Sequence, residues 1–245
     1  MGVRGLTSTV LEHGKPRTVN LKAGEGATRG VLLVDVYGFL YAAIDALEQP
    51  ALSCLGGLHF QELVKILLTC LDWWTSHLRL HVHLVLDGST VDIAPESTYM
   101  LRSRKIGLHN SDLFENWPNE QLKEMEGNAS VGAWSTSALD VAIASLKRPE
   151  AVSMDTAVHD ADTALRAYYT AYREDIFAVL TNDSDFFTWC DCVALLRMHS
   201  VGGQKGKLSG TFKLFDRQEV ARCIKHRAET RWSKDKRVPP GRSEE

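Results

Sequence analysis

Short, continuous apolar runs of strand length alternate with helical patterns along this chain. The first run, Val31–Val36, is apolar except for Asp35, which is typical of a strand buried on both faces of a parallel sheet. Residues 58–78 then place apolar side chains at helical spacing, and His81–Leu86 forms a second run. A strand, a helix and a second strand in this order predict a parallel pair joined by a right-handed crossover.

The same alternation continues in the second half of the chain. Residues 157–172 carry a helical pattern, and Ile176–Leu180 is a third apolar run that ends at a polar turn. Two further strands are predicted at Cys192–Leu196 and Thr211–Phe215, joined by a glycine-rich hairpin loop. This alternation predicts an α/β fold, a mainly parallel twisted sheet flanked by helices.

A single domain accounts for most of the length. A chain of 245 residues buries roughly 70–75% of its unfolded surface, enough for a core without disulfides or a structural metal. We expect this domain to span residues 1–227. Residues 88–134 lack sustained periodicity and contain several Gly and Pro residues, so we expect them to form a long insertion over the carboxyl edge of the sheet.

The C-terminal part combines a helix with a basic segment. Asp216 and Glu219 have the spacing of a capping box, which predicts a final helix reaching about Lys225. Between residues 222 and 237, seven Lys or Arg stand against two acids. We therefore expect residues 228–245 to form a basic, flexible tail.

Composition excludes several classes of protein. With 28 Lys and Arg against 31 Asp and Glu, the chain lacks the basic excess of proteins that bind nucleic acid mainly through counterion release, so any such binding must be local. Its five Cys form no C-x-x-C pair, which argues against a disulfide framework or a four-cysteine zinc site. The sequence carries no secretory signal and no membrane-spanning run. We expect an intracellular protein, nuclear or cytoplasmic, with no membrane partner.

Acidic residues follow the predicted strands at the points where each strand ends. Ligands in open parallel sheets bind at the carboxyl ends of the strands, so these acids are expected to converge on one edge. A group of carboxylates in a cleft needs compensation, and Mg²⁺ or Mn²⁺ prefers such oxygen ligands. The candidates are Asp35, Asp87, Asp160, Asp162, Asp183 and Asp185.

The chemistry that such a cluster supports is hydrolysis of a phosphodiester. One divalent ion lowers the pKa of a bound water, and a second ion stabilises the leaving oxygen. An Asp after a strand is also a common helix N-cap or turn residue, and Asp160 and Asp183 each have that simpler interpretation. The Asp-x-Asp spacing occurs twice, and together with Asp35 and Asp87 it favours a shared metal site.

The same residues carry a resemblance to a known family. The chain resembles the PIN-like nuclease superfamily of flap-endonuclease type, and within it most closely the Asteroid family. The resemblance covers residues 2 to about 190 in the order of the family. The matching segments are Gly2–Leu6, Leu32–Gly38, Leu84–Ser89, His159–Asp162 and Leu180–Phe186.

The resemblance implies a nuclease that cuts DNA or RNA with two Mg²⁺ or Mn²⁺ ions, more as an endonuclease than as an exonuclease. It implies that all six aspartates are catalytic metal ligands, with Asp160 standing where the family often has Glu. Single-stranded, flap or overhanging nucleic acid is the implied substrate. Gly2 would lie near that substrate, and Arg102, Arg104 and Lys105 would contact it from the insertion.

The sequence is also compatible with a protein that does not cut. The main alternative is a catalytically silent PIN-like domain that binds nucleic acid or a protein partner as a scaffold. A phosphatase is disfavoured because the nucleophile pattern expected after Val31–Val36 is missing. His81 and His83 alternate on one strand and could form a zinc pair, although a structural role is the more common case. Trp73 and Trp74 are expected to pack in the core.

Overall fold

The computed structural model describes residues 6–22, 29–47, 59–88, 133–196 and 210–235. The described residues form one sheet of seven strands in the order β1-β7-β6-β5-β2-β3-β4. Strands β2 to β6 are parallel to one another, and β7 is antiparallel to both β6 and β1. The strands are β1 Arg17–Asn20, β2 Val31–Asp35, β3 His81–Leu86, β4 Val152–Thr156, β5 Ile176–Thr181, β6 Val193–Leu195 and β7 Thr211–Phe215.

Helices flank this sheet. They are α1 Leu6–His13, α2 Val36–Asp45, α3 Phe60–Asp72, α4 Ala133–Ala144, α5 Ala161–Ala171 and α6 Arg217–Asp235. A π-helical turn, Trp73–His77, continues α3, and two 3₁₀ turns cover Pro149–Ala151 and Ser184–Thr188. The mixed α/β class with a mostly parallel central sheet confirms the sequence prediction. None of the helices in the described ranges is both long and apolar enough to cross a membrane.

The core lies on both faces of the sheet. Leu32, Leu33 and Val34 are consecutive residues of β2, and each is almost completely buried. Because successive side chains of a strand point to opposite faces, this run can be buried only if both faces are covered. The apolar run therefore reflects a strand that is buried on both faces of the sheet, as the sequence predicted.

Two element boundaries differ from the prediction because an aspartate caps the helix that begins there. The strand predicted to reach Val36 ends at Asp35, because the Asp35 side chain caps α2 and Val36 is already its first residue. The helix predicted from Ala157 starts at Ala161, because Asp160 is its N-cap. Both acids thus lie at a junction between a strand or loop and a helix N-terminus.

Several elements were not predicted. Strand β4 carries the sequence Val-Ser-Met-Asp-Thr, and its last three residues are exposed, so it lacks the apolar run of the inner strands. It lies at the edge of the sheet, where a strand needs only one partner. Helices α1 and α4 and strand β1 also had no clear periodic signal. The insertion expected at 88–134 falls almost entirely outside the described residues.

The last helix is longer than predicted. It extends to Asp235 instead of about Lys225, so residues 228–235 of the expected tail are helical. The segment contains no Gly or Pro and is rich in Arg, Lys, Glu and Ala, which are good helix formers. Asp216 Oδ1 accepts the Glu219 N–H at 2.7 Å as expected, but the Glu219 carboxylate binds the Lys15 N–H and Arg222 instead of completing the capping box.

Candidate functional site

Asp35 lies at the end of the central strand β2 and is held there by two hydrogen bonds. Its Oδ1 accepts the backbone N–H of Gly38 at 3.1 Å, and its Oδ2 accepts the hydroxyl of Thr181 at 3.1 Å. Burial raises the pKa of Asp35, the two hydrogen bonds lower it, and the carboxylates of Asp87 and Asp183 raise it again. The side chain is therefore oriented by neutral donors and repelled by two acids.

Gly38 makes the position of this carboxylate possible. A Cβ at residue 38 would lie 2.6 Å from Asp35 Oδ2 and 3.2 Å from Leu196 Cδ1. The first distance is shorter than any ordinary contact, so a side chain at this position would displace the carboxylate. Glycine in the first turn of α2 is thus part of the site, although it carries no functional group.

Thr181 connects Asp35 to the next acidic segment. This residue ends β5 and is completely buried. Its Oγ1 donates to Asp35 and accepts the backbone N–H of Asp183 at 3.0 Å. Asp183 in turn caps the 3₁₀ turn, because its Oδ1 accepts the N–H of Asp185 at 3.1 Å. One hydroxyl therefore aligns the ends of the neighbouring strands β2 and β5.

Asp87 follows β3 and contacts the start of α5. Its Oδ1 accepts the backbone N–H of Ala161, the first residue of α5, at 2.7 Å. Gly88 allows the loop before α5 to approach, since a Cβ there would lie 1.9 Å from the carbonyl oxygen of Ala157. The Gly88 N–H also donates to the carbonyl of His159 at 2.8 Å. These contacts bring the N-terminus of α5 to the end of β3.

Asp160 and Asp162 lie at the start of α5 and have different surroundings. Both oxygens of Asp160 bind Thr163: Oδ1 accepts its N–H at 2.7 Å, and Oδ2 accepts its hydroxyl at 3.1 Å. Asp162 is half-buried. Burial, and then the carboxylates of Asp183, Asp35, Asp87 and Asp160, raise the pKa of Asp162 to about 7.

The charges of five of the six predicted acids therefore interact at one edge of the sheet. They come from the ends of β2, β3 and β5 and from the start of α5, which is the convergence that the strand-end rule predicted. Asp185, the sixth, is linked to the group through its N–H bond to Asp183. Gly2, Arg102, Arg104 and Lys105 lie outside the described residues, so their contacts with a substrate stay predictions.

Within the described ranges, no three His, Cys, Asp or Glu side chains come together closely enough to hold an ion. Four of the acids also bind backbone N–H groups at the start of a helix or turn: Asp35, Asp160 and Asp183 are N-caps, and Asp87 binds the first N–H of α5. The donor set is all oxygen and suits a hard divalent cation, but a cation would have to draw the carboxylates closer together.

Gly38 and Thr181 were not among the predicted site residues. Both lie within segments that carry the family resemblance, close to predicted acids. A glycine shortly after a predicted strand, and a hydroxyl residue at the end of an otherwise apolar strand, are the signals by which they could have been found.

The remaining candidates have structural roles. Trp74 is buried against Phe39, with ring centroids 5.2 Å apart, as expected for core packing. His81 and His83 face the same side and share one partner, Ser153, whose Oγ lies 2.9 Å from His81 Nε2 and 2.7 Å from His83 Nδ1. This bridge supports the structural role, because it uses nitrogens that a zinc ion would need.

Comparisons with known proteins find similarity in structure only. No protein-family model and no curated protein matches the chain. Among solved structures, the catalytic core of Rad2 matches with a TM-score of 0.45 and 12% identity, over 92% of this chain and 54% of that chain. Flap endonuclease-1 from Methanococcus jannaschii matches with a TM-score of 0.47 and 10% identity, over 88% of this chain and 65% of that chain.

A third match is the Rad2 core in complex with a DNA substrate, with a TM-score of 0.40 and 14% identity, over 91% of this chain and 57% of that chain. The chain thus spans from about half to two thirds of the length of these solved structures. The Asteroid family is not among them and stays a prediction.

Proposed function

We propose that this protein is a metal-dependent nuclease that hydrolyses phosphodiester bonds of DNA or RNA at the carboxyl edge of its sheet. The observation that carries the proposal is the convergence of five carboxylates at one edge of the sheet, where burial and the four other carboxylates raise the pKa of Asp162 to about 7. Folding has brought together negative charges that repel one another, and a bound cation would relieve that repulsion. Among the described residues, neither Asp35 nor Asp162 forms a salt bridge that would do so.

The proposed ligands of two Mg²⁺ or Mn²⁺ ions are the aspartates of this edge. Bound ions would lower the pKa of a water and neutralise charge on the phosphate. The ligands are Asp35, Asp87, Asp160, Asp162, Asp183 and Asp185.

The surrounding residues would orient these carboxylates. The Gly38 N–H and the Thr181 hydroxyl bind Asp35, and the Ala161 N–H binds Asp87, so each carboxylate keeps lone pairs that can face the substrate. Neutral donors of this kind orient a carboxylate without removing its charge. Preorientation matters because misplacing a reacting group by about 1 Å can cost roughly a hundredfold in rate.

For the substrate, we propose nucleic acid with single-stranded, flap or overhang character, and an endonucleolytic cut. Arg102, Arg104 and Lys105 would supply local positive charge to the phosphate backbone, and Gly2 would lie beside the substrate. Such a local cluster would account for binding by a chain whose formal net charge is −3. We also propose that the protein acts inside the cell, in the nucleus or the cytoplasm.

One observation favours the alternative function, a catalytically silent scaffold. Several of the acids already serve as helix caps, and within the described residues no three of them form a cation-binding group. In a scaffold the same surface would bind nucleic acid or a protein partner without cutting it. The two functions differ in whether a divalent ion binds and whether phosphodiester bonds are broken.

The test compares the wild type with Asp183→Asn on labelled single-stranded, flapped and overhanging DNA and RNA. Asparagine is also a good N-cap, so the 3₁₀ turn should remain while a metal ligand is weakened. The matched control is Asp140→Asn, an exposed acid of α4. We expect Mg²⁺- or Mn²⁺-dependent cleavage that Asp183→Asn reduces by about 100-fold or more, and that the control retains.

The melting temperature of each variant with and without the metals gives a second readout. A site that binds only the folded state must raise the melting temperature as the ion is added. Cleavage that is equal in the wild type and Asp183→Asn would contradict the proposed site. A wild type that is neither stabilised by the ions nor active on any substrate would favour the scaffold.

A further inference from the structure

A cavity of about 230 Å³ lies at the opposite ends of the strands from the carboxylates. Val31, His81 and Ile176, the first residues of β2, β3 and β5, contribute to its lining, whereas Asp35 is the last residue of β2. Four residue steps along the strand, each of about 3.3 Å, separate Val31 from Asp35 by about 13 Å. The cavity is therefore distinct from the candidate metal site.

The walls of this cavity are apolar and aromatic. Side chains of Val31, Leu33 and Ile176 form the aliphatic part of the lining. Tyr168 and Tyr172 are one helical turn apart at the end of α5. Their ring centroids lie 6.5 Å apart, and their ring planes are inclined to each other by 27°. Imidazole rings of the two lining histidines complete the aromatic part of the cavity.

Three of the aromatic side chains, Tyr168, His81 and His83, are held by contacts within the protein. The Tyr168 hydroxyl donates to the carboxylate of Asp155, and its ring meets the ring of His83 edge-on at a centroid distance of 4.4 Å. Ser153 bridges the two imidazoles, which fixes both rings on the same face of the sheet. A rigid aromatic wall loses little conformational entropy when it binds a ligand.

The electrostatics of the cavity favour a positive charge. Asp175 is the one lining residue with a formal charge at neutral pH, and the described lining contains no Lys or Arg. Asp155 adds a second carboxylate next to the cavity, with Oδ2 3.6 Å from His83 Nε2. Burial lowers the pKa of His83, so this imidazole is neutral at physiological pH and does not repel a cation. Aromatic faces attract cations through their quadrupole.

We propose that this cavity binds a methylated ammonium group, carried either by a small molecule or by a methylated lysine side chain. Tyrosine rings, apolar walls and a carboxylate in the lining are features that suit a quaternary ammonium ion. The volume agrees, because a cavity of about 150 Å³ already holds a benzene molecule. Primary ammonium and anionic ligands would bind less well, the first because it loses more hydration and the second because of the carboxylates.

The test titrates the wild type with choline, with its uncharged carbon isostere 3,3-dimethylbutan-1-ol, and with a peptide containing trimethyllysine. We expect choline to bind about tenfold more tightly than the isostere, the size of a cation–π contribution. The N-methyl protons should shift upfield in NMR spectra, because they lie over aromatic faces. Choline and the peptide distinguish a free ligand from a modified protein, and saturable binding of either one supports the proposal.

Variants locate the binding. Tyr172 is 57% exposed, so Tyr172→Ala should fold, and we expect it to weaken binding about fivefold or more, while Tyr172→Phe stays within about twofold. The matched control is Tyr41→Ala, a 39% exposed tyrosine on α2, which should bind normally. Equal affinity for choline and the isostere, unchanged affinity in Tyr172→Ala, or no saturable binding of either cation would overturn the proposal. These titrations need neither nucleic acid nor a divalent ion, so their outcome is independent of the proposed nuclease.

Discussion

The two ends of the parallel strands solve the problem of buried polar groups in different ways. At the carboxyl edge, acids surround Asp162 and the pKa of Asp162 is raised to about 7, because burial and like charges both oppose its ionisation. At the other end, Ser153 binds His81 and His83, and burial lowers the pKa of His83. One end retains repulsion between acids, whereas at the other a serine bridges two imidazoles.

This difference shows where a fold can bind a cation strongly. Repulsion between carboxylates reduces the stability of the empty protein, and an ion that removes it gains that free energy in binding. The aromatic cavity at the other end stores no such repulsion, so it offers contact, the attraction of its aromatic rings and the charge of Asp175. We therefore expect divalent ions at the first end to change stability far more than organic cations at the second.

The largest effect on the free energy of unfolding is expected for Gly38→Ala, which tests how tightly the carboxyl edge is packed. Alanine in a helix is ordinarily more stable than glycine by about 1 kcal/mol. Here its Cβ would lie 2.6 Å from Asp35 Oδ2, so we expect a net destabilisation of about 2 kcal/mol. Urea denaturation measures this change.

The control for this prediction is the double variant Gly38→Ala with Asp35→Ala. Without the carboxylate, the added methyl group has space near residue 35, and the helix preference of alanine should reappear relative to Asp35→Ala alone. If Gly38→Ala is equally destabilising in both backgrounds, the close approach to Asp35 is not its cause.

Asp162→Asn tests the repulsion itself and should have a smaller effect that depends on pH. Between pH 3.8 and about 7, the folded protein keeps a proton on Asp162 that the unfolded chain releases. The free energy of unfolding therefore falls as the pH rises through this range. Asparagine does not ionise, so the variant does not undergo this fall in stability. Without added metal, we expect it to be more stable than the wild type by about 1–2 kcal/mol at about pH 8 and nearly equal to it at about pH 4.

Thermal unfolding at several pH values measures this difference. At the higher pH, addition of Mg²⁺ or Mn²⁺ should stabilise the wild type more than Asp162→Asn, because the ion relieves more repulsion between carboxylates in the wild type. A variant whose stability follows that of the wild type at every pH would show that the acids do not repel one another.

The smallest effect is expected for Ser153→Ala at the opposite end. The substitution removes one hydroxyl and leaves a nitrogen of His81 and a nitrogen of His83 without that partner, at a cost of about 1 kcal/mol. Because this end is distant from the carboxylates, stabilisation by divalent ions should be the same as in the wild type. A selective loss of that stabilisation would show that the two ends are coupled.

The parts of the fold that could be predicted are those in which a sequence pattern is compatible with only one kind of structure. Val31–Asp35, His81–Leu86 and Ile176–Thr181 are largely apolar segments, and only a strand covered on both faces buries such a run. Strand β4 could not be found in this way, since its exposed half looks like a loop and its pairing with β3 is a long-range contact. Edge strands depend on their neighbour more than on their own sequence.

The positions of the acids in the candidate site could be predicted from the sequence. The contacts that support these acids could not. Asp35 and Asp87 stood at strand ends, and the strand-end rule placed them on one edge. The hydroxyl of Thr181 between Asp35 and Asp183 could not be foreseen, because it joins strands that lie far apart along the chain. The capping of α5 by Asp160 was one of two roles that the sequence left open for this residue.

By itself, the sequence determined the class of fold, the positions of its main strands along the chain and the acidic residues that follow them, because these depend on hydrophobic periodicity and on neighbours along the chain. Only the tertiary structure decided which charges interact, and hence that burial and four carboxylates together oppose the ionisation of Asp162. It also decided that His81 and His83 share a hydrogen-bond partner, Ser153, and that Tyr168 and Tyr172 line a cavity beside them. Electrostatic and packing energies depend on distances through space, which separation along the chain does not specify.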